Sequence, residues 1–169
     1  MIQSTPSDSL NLAVIPARGG SKGIKNKNIM QVGSKTLIEH AICAAKSSAL
    51  LTDIIVTSDN PKILELSTQY CISTRDRPIS LAQDDSSVVT ALQDAVNTME
   101  TINKCVYDNI ILLQPTSPIR TGDDIDNVIN IMTQYPDVEG VISVSDCGVF
   151  LPDHQYYIEK DGKNGVDAL

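Results

Sequence analysis

Four near-continuous apolar runs limit how this chain can fold. LAVIPA (12–17), DIIVTSD (53–59), NIILLQP (109–115) and GVISVS (140–145) are rich in Ile and Val and lie far apart in sequence. A strand with no polar face has to be covered on both sides, which predicts a largely parallel sheet flanked by helices. The stretches between the runs supply those helices. Residues 35–48 align Leu37, Ile38, Ala41, Ile42 and Ala45 on one side, and 61–70 open with proline in the first turn behind Asn60 as a cap. Residues 86–102 space Val89, Leu92, Ala95, Val96 and Met99 at helical intervals. Residues 121–135 begin TGDD, with acids suited to a helix N-terminus, and carry Ile125, Val128, Ile129 and Met132. The alternation predicts an α/β fold, a three-layer αβα Rossmann-like sandwich with a mainly parallel sheet.

Composition narrows the function. A chain of 169 residues, 41% hydrophobic and 20% charged, suits one domain, and one Phe, five Tyr and no Trp leave a core of Ile, Leu, Val and Ala. The net charge of −8 weighs against nonspecific nucleic-acid binding, which needs many basic phosphate contacts. No apolar run approaches a membrane span, so neither nucleic acid nor membrane is expected as a partner. Cys43, Cys71, Cys105 and Cys147 are scattered with no CxxC, as in reduced core or surface thiols of a cytoplasmic protein. Residues 1–11 read as a polar tail, since MIQSTPSDSL has neither a basic start nor the apolar stretch of a signal peptide. His40 and His154 show no partner in the sequence and are expected to be solvated or on a helix face.

Against that acidic background one segment is basic. The loop RGGSKGIKNKN (18–28) follows the first apolar run and carries Arg18, Lys22, Lys25 and Lys27 among three glycines. Glycines let backbone N–H groups crowd an anion, and a basic loop at a strand's end suits a polyphosphate. The order of residues is neither GxxxxGK[ST] nor GxGxxG, so this is neither the common NTPase loop nor a dinucleotide turn. A second constellation, LLQPTSPIRTG (112–122), delivers Gln114, Thr116, Ser117 and Arg120 to another strand end, held extended by two prolines. An amide there can donate to and accept from a pyrimidine edge. The third, RDRPISLAQDDSS (75–87), reads by itself as a surface turn leading into a helix. Asp59 closes its strand either as a metal ligand or as an acceptor for a loop.

Together the three segments resemble the acylneuraminate cytidylyltransferases, which activate sialic acids as CMP-sugars. ARGGSKGIKNKN is similar to that family's ARGGSKG-x-x-x-KN loop, RPISLAQDDSS to its RP-x-x-L-A-x-D segment, and LLQPTSPIRTG to its Q-x-TSP element. The resemblance implies the nucleotide-diphospho-sugar transferase type of sandwich over 12–146. It also implies that Arg18, Lys22 and Lys27 act on the triphosphate of CTP, with Gly19, Gly20, Ser21 and Asn28 around the nucleotide. Arg77, Gln114, Ser86 and Ser87 would serve the base and its neighbourhood, and Thr116, Ser117 and Arg120 the acceptor sugar. The implied reaction is attack of the anomeric hydroxyl of a nine-carbon keto-sugar acid on the α-phosphorus of CTP, releasing pyrophosphate, with Mg²⁺. Its metal ligands have no counterpart at Asp59, Asp84 or Asp85. By the same resemblance, 147–169 is the start of an incomplete dimerisation extension, the elements that close the fold C-terminally are missing, and a homodimer is expected. A synthetase for legionaminic, pseudaminic or deoxyoctulosonic acid, and a truncated non-catalytic nucleotide-binding protein, stand as alternatives.

Overall fold

The computed structural model describes residues 9–20, 23–24, 26–82, 87–144, 158–160 and 166–168. Strand β1 (Asn11–Pro16) lies inside the sheet and is buried almost throughout. It pairs in parallel with β4 (Asp53–Ser58) on one side and with β6 (Asn109–Leu112) on the other. The short β5 (Ser73–Asp76) extends the sheet beyond β4, again in parallel, giving the order β5-β4-β1-β6. A small antiparallel hairpin, β2 (Gln31–Val32) with β3 (Lys35–Thr36), turns through Gly33 at φ +67°, where a side chain would be strained.

Side chains of β1 alternate between two cores. Ala13, Ile15 and Ala17 meet α1 (Leu37–Ser47), α2 (Pro61–Thr68) and α4 (Gly122–Gln134) on one face of the sheet. Leu12 and Val14 meet Ala95 and Met99 of α3 (Val88–Asn103) and Tyr107 on the other. Three layers follow from this alternation, as the apolar pattern requires.

The helices begin where their caps stand. Asn60 accepts from Lys62 N–H ahead of Pro61, and Ser87 accepts from Val89 N–H. Thr36 and Thr121 each form a reciprocal capping box, with Glu39 and Asp124 respectively. The close approach of α4 to α1 requires Gly122, because a Cβ there would lie 2.5 Å from the Ser47 carbonyl carbon and oxygen. Asp126 of α4 locks the same junction by accepting from Ser48 Oγ (2.5 Å), Ala49 N–H (2.9 Å) and Leu50 N–H (3.1 Å).

Some expectations change. The run GVISVS is not a strand over its described part, residues 140–144. Apolarity favours a buried extended segment, but a strand also needs a neighbour to complete its ladder, and among the described residues none pairs with this one. Strand β5, STRD, has no apolar signature and is held by its ladder to β4. His40 stands on α1 as a helix-face histidine, but it does have a partner, for its Nε2 lies 2.8 Å from the Val32 carbonyl oxygen. Cys71 is exposed at φ 56°, whereas Cys43 and Cys105 are half-buried free thiols. Near the C-terminal end, β7 (Ile158–Lys160) and β8 (Val166–Ala168) pair antiparallel, in keeping with a hairpin. The Asn164–Gly165 pair, Cys147 and His154 lie outside the described residues.

Candidate active site

The chain runs from β1 outward through β4 to β5, then returns across the sheet to β6 on the opposite side. The loops after β1 and β6 lead to α1 and α4 on one face of the sheet, the connection after β5 leads to α3 on the other, and a crevice opens between them at the carboxyl ends of the strands. A cavity of about 340 Å³ lies there. Pro16, Arg18, Gly20, Lys27 and Asn28 form its wall on the β1 side, and Gln114, Pro115 and Thr116 on the β6 side. Arg77, Leu81 and Ala82 reach it from beyond β5, and Ser87, Val88 and Ala91 from the first turns of α3.

All three sequence segments thus meet in one cavity, including the third, which by itself resembled an ordinary surface turn. Thr116 lines the cavity but Ser117 and Arg120 do not. Consecutive turns carry them onward, with Ser117 N–H on Gln114 O and Arg120 N–H on Ser117 O. Burial lowers the Arg120 pKa, with Asp124 opposing, and Arg120 Nη1 is buried with no hydrogen-bond partner. Ser21, Lys22, Lys25, Asp84, Asp85 and Ser86 lie outside the described residues.

The basic loop is braced from two directions. Asn28, only 8% exposed, donates its amide to the Arg18 carbonyl (2.9 Å), so it closes the loop upon itself. Asp59 Oδ1 accepts from Gly19 N–H at 2.8 Å, which is the loop-holding role, one of the two expected of it. Gly19 has no room for a side chain, since a Cβ would stand 2.8 Å from Asn60 Cβ and Nδ2.

Arg77 is the strongest buried cation facing the cavity, at 6% exposure. Its Nε donates to Thr57 Oγ1 (3.2 Å) and its Nη2 to Thr57 O (2.7 Å), which fixes the guanidinium plane. Burial lowers its pKa, and the carboxylates of Asp59 and Asp94 offset part of that cost. Arg75, two residues earlier, points elsewhere and forms a two-pronged pair with Asp94 at 2.8 and 2.9 Å. The resemblance assigns Arg77 and not Arg75 to the base, and the structure places only Arg77 on the cavity. Strand alternation would put the two on one face; they part because Arg77 lies just past the end of β5, where its guanidinium is held by Thr57 and lines the cavity.

A rigid cation at one wall, a basic glycine loop at another, and an amide and hydroxyl between them can hold an elongated anion with a polar ring at one end. The fold defines an α/β protein of the nucleotidyltransferase type. Residues 12–139 match the sequence family described as Cytidylyltransferase, and the chain belongs to that family.

Relatives agree. The chain is 37% identical over 121 residues to a CMP-N,N'-diacetyllegionaminic acid synthase of Legionella pneumophila, covering 71% of this chain and 52% of that protein. It is 32% identical over 134 residues to an N-acylneuraminate cytidylyltransferase of Escherichia coli, covering 79% and 31%. Among solved structures, a CMP:2-keto-3-deoxy-manno-octonic acid synthetase complexed with CTP superposes with a TM-score of 0.60 at 22% identity, over 77% of this chain and 50% of that one. That likeness shows the shared fold. The chain spans about half the length, or less, of these proteins.

Proposed function

We propose that the protein is a cytidylyltransferase that moves CMP from CTP to the anomeric hydroxyl of a sialic-acid-like nine-carbon keto-sugar acid, releasing pyrophosphate. The observation that carries this reading is the convergence of the three segments on one cavity. Arg18 and Lys27 stand on the wall where the triphosphate would lie. As the bond from the α-phosphorus to the bridging oxygen breaks, negative charge grows on the departing pyrophosphate, and these cations with the loop amides offset it. Arg77, held flat by Thr57, faces the base end, with Gln114 able to donate and accept beside it. Thr116 stands where acceptor and nucleotide would meet, and holding the two in line is the main task left to the protein.

The roles of Ser21, Lys22, Ser86, Ser117 and Arg120 belong to the same reading and rest on the resemblance. So does Mg²⁺, together with a homodimer and a cytoplasmic setting. Among the described residues no three His, Cys, Asp or Glu side chains gather as metal ligands, and Asp59 Oδ1 is taken by Gly19. Asp84 and Asp85 lie outside the described residues, no magnesium ligands are assigned, and no step is routed through the ion. Among the described residues no helix is long and apolar enough to cross a membrane.

The test is pyrophosphate release from CTP and Mg²⁺ across a panel of sialic, legionaminic, pseudaminic and deoxyoctulosonic acids. Release with a nine-carbon acid is expected. Calorimetry that detects no CTP binding to the folded protein would end the proposal.

A further inference from the structure

The last main-chain bond joining β1 to β4 beyond the strands runs from Ala17 N–H to Thr57 O, at 3.0 Å. The next loop donor in line, Gly19 N–H, lies past the end of β4, and the Asp59 carboxylate takes the place of a strand carbonyl there. The same three residues hold Arg77. Thr57 O accepts from Arg77 Nη2 as well as from Ala17 N–H, Ser58 O accepts from Arg77 N–H at 2.8 Å, and the Asp59 charge partly compensates the buried guanidinium. The basic loop and the opposite arginine, separated by almost sixty positions in sequence, are therefore fastened to one tripeptide.

We infer that Asp59 is a positioning residue that pins the glycine loop to the strand end holding Arg77, so that the phosphate grip is set before a nucleotide arrives. Preorganisation of this kind raises affinity by removing the ordering cost from the binding step. Its target is the phosphate chain, because the hydrogen bond is to the loop. The effect on a ligand should therefore grow with the number of phosphates the loop holds. The inference rests on the nucleotide reading above and is tested so that the two can fail separately.

The experiment compares CTP and CMP binding by calorimetry for wild type, Asp59→Asn and Asp59→Ala, and follows the Gly19 amide by hydrogen exchange without ligand. Gly19 should be protected in the wild type, which needs neither a variant nor a nucleotide. Asp59→Ala should free it and raise the CTP dissociation constant about tenfold or more, the loss expected for one charge-assisted hydrogen bond. The CMP constant should move much less. Asp59→Asn keeps an acceptor of the same size and should restore most of the CTP affinity. A Gly19 amide that exchanges as fast as an open loop in the wild type overturns the inference, as does an unchanged ratio of CTP to CMP affinity in Asp59→Ala. A wild type that binds neither nucleotide removes the nucleotide reading itself, and this inference with it.

Discussion

Replacing Gly122 by alanine puts one methyl group into the contact between α4 and α1. Its Cβ would stand 2.5 Å from the carbonyl carbon and oxygen of Ser47 and 2.6 Å from Ser47 Oγ. Ordinary contact begins near 3.4 Å, so the overlap is about 1 Å, and two of the three obstructing atoms are backbone. A hydroxyl can rotate away, but the end of a helix cannot do so alone. Alpha-4 must shift as a body, which strains the Asp126 acceptor set for Ser48, Ala49 and Leu50. Overpacking of this sort costs about 1–3 kcal/mol. Exchange of glycine for alanine in a helix returns at most about 1 kcal/mol. An overlap of about 1 Å against backbone belongs in the upper part of the overpacking cost, about 2–3 kcal/mol. The net loss is therefore about 1–2 kcal/mol, or a fall in Tm of about 2–8 °C for a chain of this size. Urea unfolding with an unchanged slope and a lower midpoint is the expected result. Because Thr121 ends the segment that bears Gln114 and Thr116, CTP affinity should fall as well. A midpoint equal to or above that of the wild type would refute the close-packing argument.

Other outcomes follow from the same structure. Arg77→Lys cannot reproduce the Nε and Nη2 pair to Thr57, and it should weaken CTP binding about tenfold or more, read by calorimetry; an unchanged constant would remove Arg77 from the base end. Lys27→Ala should cut turnover by about 10²–10³, the scale of one lost contact to the departing group, in steady-state kinetics. The Asp126 carboxyl sits below its ordinary value, because hydrogen bonds from Ser48, Ala49 and Leu50 outweigh the upward push of burial, and Arg75 holds Asp94 low. Both groups therefore stabilise the fold fully above their unfolded value of 3.8 and lose that contribution as pH falls through their lower folded values. The urea midpoint should be level near neutrality and fall steadily below about pH 4, less so in Asp126→Asn; an identical decline in that variant would argue against the Asp126 lock.

Local chemistry was the readable part. Asn60 and Thr121 announced their helices because a cap acts on amides two or three residues away. The basic glycine loop stood out for a similar reason, since its charge and its freedom of backbone lie within a dozen residues. The four-residue STRD strand did not, because its ladder partner is the distant β4 and its own side chains are mixed. GVISVS misled in the opposite way, carrying the apolar signature of a strand without a neighbour to pair with among the described residues. On β6 itself, Ile110 and Leu112 remain 41% and 37% exposed on the side away from Ile111 and Leu113.

The amino-acid order by itself determined the α/β alternation, the positions of the caps and the three segments with the chemistry of phosphate and base recognition. Tertiary structure decided which of their side chains share a cavity: Arg77 but not Arg75, Thr116 but not Ser117 or Arg120, and Asp59 bound to the loop. The difference is one of range. Periodicity and capping are fixed by neighbours a few bonds away, whereas a crevice is created by the place where the chain reverses its direction across the sheet, and only the folded topology sets which strand ends meet there.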